Sequence, residues 1–317
     1  GRSLMATSGT INFNLTAGEL VERAFGKIGV KVAEQALQAS EMQDGLDGLN
    51  LMFKTWQAQG LHLWTKTEGI VFLDKGKSDY LLGATGDNAT TQDDFVGTVT
   101  TTALTTSTTV VPVSSTAGMT TGDYAGIELD DGTRQWTTLT VNSSVQITLA
   151  VGVTSASASG NTLFTYTTIS QRPLRVLSAR RAVFAIDSDI TVRRINRSDY
   201  FSQVNKQTQG TVVSYYYSPQ TGNGRIYVWQ TASTVRGLLK YTFERAIEDI
   251  DDKDNSVDFP VEWLETIVYN LAARLADDYD APAAKVQSVT SKASIMLQNL
   301  EGWDEEPGSI SIQPDFR

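Results

Sequence analysis

Residues 258–300 read DFPVEWLETIVYNLAARLADDYDAPAAKVQSVTSKASIMLQNL, and their periodicity decides the fold. Val261, Leu264, Ile267 with Val268, Leu271 and Leu275 recur at steps of three and four, which puts them on one face of a helix. Asp258 offers a capping oxygen, and Pro260 falls in the first turn, where a missing N–H costs nothing. A second stripe runs through Val286, Val289, Ala293, Met296 with Leu297, and Leu300. Pro282 disfavours helix at Ala281, so the two stripes predict a helical hairpin broken at residues 280–282. A helical hairpin this apolar needs a partner, and the sequence supplies one at the opposite end of the chain.

There, Thr16-Ala17-Gly18-Glu19 has the form of a capping box, with Leu15 and Leu20 at the hydrophobic staple positions. Leu20, Val21, Ala24 and Ile28 form an inward stripe that ends at Gly29, a suitable left-handed C′ residue. Ser40-Glu41-Met42-Gln43 reads as a second box. The stripe after it is Met42, Leu46, Leu49, Met52 with Phe53, and Trp56, closed by Gly60.

Between these helical ends the period changes from 3.6 to 2. Residues 70–73 and 80–82, around Asp74-Lys75-Gly76-Lys77, predict a β-hairpin. From 95 to 168 the composition turns to Thr, Ser, Val and Gly in short strand-like pieces. Turns such as Asp130-Asp131-Gly132 separate them at the spacing of a small sandwich or barrel. Residues 174–186, 190–195, 212–217, 225–229 and 235–243 predict further strands, with a helical turn near 198–201. An acidic stretch, 248–258, reads as a solvated linker into the C-terminal hairpin.

The expected class is therefore α+β, a terminal helical bundle with a β-rich central region and an inserted all-β sandwich or barrel module. The divisions are 15–62 with 257–301 for the helices, 63–94 with 169–256 for the β-rich domain, and 95–168 for the insert. Residues 1–14 form an N-terminal arm, in which Gly1-Arg2-Ser3-Leu4 ahead of Met5 reads as an expression scar. Residues 302–317 read as an extended tail.

The chain has 317 residues, 40% hydrophobic and 20% charged, which suits an ordinary globular protein of more than one domain. No apolar run approaches the length of a membrane span, so no membrane partner is expected. The absence of cysteine removes disulfides, thiolate nucleophiles and cysteine-ligated zinc. A net charge of −10 argues against a general phosphate-binding surface.

Chemistry is sparse. The single histidine, His62, stands among apolar neighbours just beyond a helix end, where packing or capping explains it better than catalysis. No GxSxG, HExxH or P-loop pattern occurs. An EF-hand started at Asp252 fails, because Val257 stands where glycine belongs and Trp263 where the bidentate glutamate is needed. Carboxylate pairs such as Glu19/Glu22 or Glu262/Glu265 are expected by chance on helix surfaces. No catalytic residue, cofactor or metal is assigned. The one basic concentration is Arg172, Arg175, Arg180, Arg181, Arg193, Arg194 and Arg197. Ion pairing suits it better than nucleic acid, given 36 acidic residues.

Three stretches carry a resemblance. Residues 20–30 (LVERAFGKIGV), 42–60 (from Met42-Gln43-Asp44-Gly45-Leu46 to Trp56-Gln57-Ala58-Gln59-Gly60) and 263–279 (WLETIVYNLAARLADDY) resemble the head-to-tail adaptor family of short-tailed bacteriophages, also called head-completion, tail accessory or packaged-DNA-stabilisation proteins. Residues 194–201, 215–220 and 227–229 are similar to longer members with a β-rich middle. The insert at 95–168 departs from the compact members. The resemblance implies a structural virion protein without enzymatic activity, made in the host cytoplasm and placed at the head–tail junction. It implies a ring, expected to hold twelve subunits, docked on the portal protein, with a downstream tail or nozzle protein below. Such a ring extends the DNA channel, retains packaged DNA and binds no nucleic acid specifically; the chain alone is expected as a monomer. The tail would reach the portal, with Trp303 and Phe316 as apolar anchors and Arg317 as an ion-pair partner. Arg180, Arg181, Arg193, Arg194 and Arg197 would pair with carboxylates of a neighbouring subunit. Two other readings stay open, a peptidoglycan hydrolase and a decoration or receptor-binding protein acting through the insert.

Overall fold

The computed structural model describes residues 10–30, 36–60 and 63–303. It is a mixed α+β chain with five helices among the described residues and two large sheets. The chain divides into two compact units, residues 1–64 with 247–317, and residues 65–246.

In the first unit, α1 (Ala17–Ile28) starts on the expected box. The Thr16 hydroxyl accepts the Glu19 N–H while the Glu19 carboxylate accepts the Thr16 N–H at 2.9 Å. Gly29 closes the helix at φ +83°, a backbone conformation that costs glycine little. Helix α2 (Ala39–Gln59) begins earlier than the Ser40 box predicts. Its N-cap is Gln38, whose N–H is taken by the Glu41 carboxylate at 2.7 Å. Glu41 is thus the far member of its box, and Ser40 is already helical.

The C-terminal hairpin has α4 (Leu264–Asp278) and α5 (Ala283–Trp303) on either side of the Pro282 break. Asp258 does not cap α4. Its carboxylate accepts the Glu248 N–H, Pro260 stays extended at ψ 149°, and a 3-10 turn over Val261–Trp263 precedes the helix. One buried core draws on α1 (Leu20, Phe25), α2 (Leu49, Phe53), α4 (Ile267, Leu271) and α5 (Val289, Ala293). Each large side chain in it contributes about 1.5–3 kcal/mol by transfer from water. An aromatic group closes one end, with Phe53 to Phe259 at 4.3 Å, Trp56 to Trp263 at 5.7 Å and Trp64 to Trp263 at 5.2 Å.

The second unit holds the strands. β1 (Lys66–Phe72), β2 (Asp79–Leu82), β3 (Ala89–Thr91), β10 (Arg175–Val183), β11 (Ile186–Arg194), β13 (Ser214–Ser218), β14 (Gly224–Trp229) and β16 (Gly237–Glu244) form an eight-stranded, nearly barrel-shaped sheet in the order β2-β14-β13-β11-β10-β16-β1-β3. Within this sheet, among the described residues, β11 and β13 are the one parallel pair. α3 (Arg197–Ser202) follows β11, and β12 (Gln209–Gly210) pairs separately with β15 (Thr231–Ala232). β4 (Val96–Val99), β5 (Val110–Pro112), β6 (Tyr124–Glu128), β7 (Arg134–Ser143), β8 (Gln146–Leu149) and β9 (Thr162–Tyr166) form a six-stranded sheet ordered β4-β9-β6-β7-β8-β5.

The predicted hairpin of 70–73 with 80–82 does not form. β1 pairs with β16 and β3, and β2 pairs with β14. The reason is burial. Val71 faces the interior of the eight-stranded sheet, while Ile70 and Phe72 face a second core shared with Phe164 and Tyr166 of the other sheet. A strand covered on both faces needs a neighbour on each edge, which a two-stranded hairpin cannot give.

Two glycines of the first unit give opposite expectations. A Cβ on Gly45 of α2 would lie 2.3 Å from Val21 Cγ1 on α1, whereas one on Gly26 of α1 would meet nothing within 4 Å. Gly26→Ala should raise stability by about 0.5–1 kcal/mol through helix propensity. Gly45→Ala should lower it despite the same gain, and paired urea titrations read both.

Candidate functional site

Where the two sheets of the second unit meet, Phe72 of β1 packs against Trp136 at 5.0 Å, Phe164 at 5.6 Å and Tyr166 at 5.7 Å. Into this aromatic layer β7 inserts Arg134. Its side chain is 0% exposed, and the guanidinium lies 4.8 Å from the Phe164 centroid and 5.7 Å from that of Phe72. Among the described residues no nitrogen of the group donates to an acceptor, and the paired carboxylate oxygen, on Asp74, is 3.7 Å away. Burial pulls the guanidinium down to about 10, and burial raises the Asp74 carboxyl although Arg134 opposes the rise. Desolvation therefore exceeds the attraction between the pair. What holds the cation is the negative faces of three rings.

A second tie crosses the same joint. Arg236 Nε reaches both Glu128 oxygens at 2.8 and 2.9 Å, and Glu128 also takes the N–H and hydroxyl of Thr162. Burial pushes the Glu128 carboxyl up, but these hydrogen bonds outweigh it and leave the group below its usual value. Neither Arg134 nor Arg236 belongs to a sequence motif. The only local signal was Arg134 two residues from Trp136, on the same face of a strand.

The arginines of the sequence divide into two sets. Arg180 is committed within the chain, donating to Glu68 and lying 3.8 Å from Asp189, which Lys240 also holds at 3.0 Å. Arg175 lies 3.8 Å from Glu244. Among the described residues, Arg172, Arg181, Arg193, Arg194 and Arg197 have no carboxylate within ion-pair distance. Arg181 reaches the Val212 carbonyl at 3.4 Å, and Arg197 lies 5.7 Å over the ring of Phe201. Arg193 and Arg194 are exposed at the end of β11, opposite Ser214 and Tyr215.

The acidic stretch keeps most of its carboxylates at the surface, as a solvated linker would, while its backbone is committed. Its backbone caps α1, because Asn255 O and Lys253 O accept the N–H groups of Ala17 and Gly18 at 2.9 and 2.8 Å. Asn50 of α2 brackets Ile250 with two hydrogen bonds of 2.9 Å. Lys54 reaches the Ile247 carbonyl and the Asp249 carboxylate. Asp251, Asp252 and Asp254 are exposed, and the Asp252 carboxylate accepts the Asp254 N–H at 2.9 Å. Among the described residues no cluster of histidine, cysteine and carboxylates fits a metal ion, and no helix is long and apolar enough to cross a membrane. Glu19 is occupied in the α1 box. His62, Phe316 and Arg317 lie outside the described residues, and Trp303 ends α5 with its side chain likewise undescribed.

No family model matches the chain, and no curated protein matches it.

Two substitutions test the joint. Arg134→Met keeps the volume and removes the buried charge, so it should leave stability unchanged or raise it by about 1–4 kcal/mol; Arg134→Ala should lower it by opening a cavity. Glu128 titrates below the ordinary 4.5 in the folded state, so its stabilisation is complete above that value and is lost as pH falls through the folded one. The Tm advantage of the native chain over Glu128→Gln should therefore shrink on acidification below pH 4.5.

Proposed function

We propose that this chain is a head-to-tail adaptor of a short-tailed bacteriophage, a structural virion protein that docks on the portal as a ring. On this reading the helices of residues 15–62 and 257–301 are the terminal helical bundle that carries the adaptor role. The strands between them are a β-rich domain that bears the 95–168 segment as an inserted sandwich or barrel module. The ring extends the DNA channel, retains packaged DNA and presents a platform to the tail protein below, at the head–tail junction of the virion.

The observation that carries the proposal is the shared core of α1, α2, α4 and α5. The three stretches bearing the family resemblance lie on these elements, and their apolar faces are spent on one another rather than on a ligand. Two further features support it. Exposed guanidinia on and beside β11 suit a neighbouring subunit's carboxylates, with Arg193, Arg194 and Arg197 available and Arg180 already engaged. The net charge of −10, multiplied around a ring, gives a channel that repels phosphate rather than gripping it.

The deciding experiment is the mass of the purified chain, alone and with its cognate portal, by mass photometry. A monomer that joins the portal in many copies is expected, with twelve as the ring count. A chain that ignores the portal overturns the reading. Shortening the chain to end at Leu300, which removes Trp303, Phe316 and Arg317, should abolish portal binding while leaving the helical core folded. Fluorescence anisotropy with duplex DNA at physiological salt should detect weak binding or none.

A further inference from the structure

Four glycines stand inside α1 and α2, and three of them are explained by close neighbours within the chain. A Cβ on Gly18 would lie 3.1 Å from Lys253, one on Gly45 2.3 Å from Val21, and one on Gly48 3.1 Å from Leu271. Gly26 is the exception. Its Cβ would meet nothing within 4 Å, and glycine at a helical position weakens the helix relative to alanine. What such a glycine does offer is a stretch of backbone that another chain can approach closely.

The space over Gly26 is a groove of about 670 Å³ between α1 and the start of α4. Leu15, Leu264, Val268 and Tyr269 line it, all of them members of the helical core. At its mouth Val261 is 44% exposed and Phe13 63%. Arg23 and Lys27 come from the α1 side, Glu262 and Glu265 from the α4 side. Two cations set against two carboxylates give the groove no net charge. A charged segment would lose to one side what it gained from the other, so the groove suits an uncharged occupant with apolar side chains.

The same unit carries a segment of that kind. Residues 10–15 read TINFNL, without a charge and apolar at every second position. Leu15 is buried, whereas Phe13 is largely exposed and Ile11 entirely so, at 100%. Asn14 ties the arm down by donating to the Ser256 hydroxyl at 3.3 Å, and the arm then passes the groove mouth at Phe13. Its own Ile11, two residues further out, is left bare. We infer that the groove receives the arm of a second copy of this chain, which lies across Gly26 with its Ile11 against Val261 and Val268. The contact is heterologous, arm to groove, and it does not rest on the portal reading.

The test is sedimentation equilibrium of the full chain up to about 500 μM, a range that detects a contact far too weak to survive the dilution of mass photometry. Mass rising with concentration above the 34.5 kDa of one chain is expected. Ile11→Ser removes the anchor of the arm, and Gly26→Leu fills the groove. Both positions are exposed, so neither change should lower Tm, and each should weaken self-association about tenfold or more. Each variant keeps the half that the other lacks, so an equimolar mixture should recover an association that neither shows alone. A native chain that stays at 34.5 kDa throughout overturns the inference. So do variants that associate as the native chain does, or a mixture that stays monomeric, since the arm would then serve its own chain. No portal enters the test, and a negative result leaves the portal reading to its own experiment.

Discussion

The structure of the second unit depends on one strand being buried on both faces. β1 gives Val71 to the interior of the eight-stranded sheet and Ile70 with Phe72 to the layer against the six-stranded sheet. No residue of β1 from Gly69 onward can therefore be replaced by a polar one without exposing a buried face to an unpaired group. The requirement also fixes the connectivity, because a doubly covered strand must sit inside a sheet. Its neighbours come from far along the chain, and the segment running from β4 to β9 is held against its outer face. The arrangement makes the six-stranded sheet an integral layer of that unit.

Arg134 shows how closely that layer is fitted. A guanidinium without hydrogen bonds is an expensive group to bury, and its depressed affinity for protons reports the cost. It is tolerated because Phe72, Trp136 and Phe164 surround it at distances where ring quadrupoles act. Glu128 and Arg236 form the opposite kind of tie, a charge pair at the rim with its hydrogen bonds satisfied. Stability at the joint comes from the rings and the rim pair, whereas Arg134 contributes discrimination. A sheet that slid by one residue would present the cation to aliphatic atoms with no compensating faces.

What the sequence disclosed was whatever its local chemistry controls. The α1 box, Gly29 and Gly60 as helix ends, and the Pro282 break all rest on residues within a turn of one another, and all appear in the structure. The errors concern choices between distant partners. Residues 70–73 and 80–82 flank a good turn, yet β1 is buried on both faces and takes β16 and β3 as neighbours, which leaves β2 to pair with β14. Asp258 looks like a cap until Glu248 claims its carboxylate. The acidic stretch looks solvated because its side chains are. Its order comes from backbone carbonyls on α1 and from Asn50, groups that no composition rule reads. Arg134 was invisible for the same reason, since only the opposing sheet makes it buried. Of the predicted interface arginines, Arg180 and Arg181 lie on β10, Arg193 and Arg194 on β11, and Arg197 begins α3, but that Arg180 was already paired depended on Glu68 and Asp189.

Charge is distributed unevenly over the molecule. The chain as a whole is strongly acidic, yet the exposed end of β11 carries Arg193 and Arg194, which among the described residues have no carboxylate within ion-pair distance. Carboxylates beside those arginines would have neutralised the edge and left it open to indiscriminate strand pairing. Cations there instead disfavour pairing with a second copy of the same edge, which would bring like charges together.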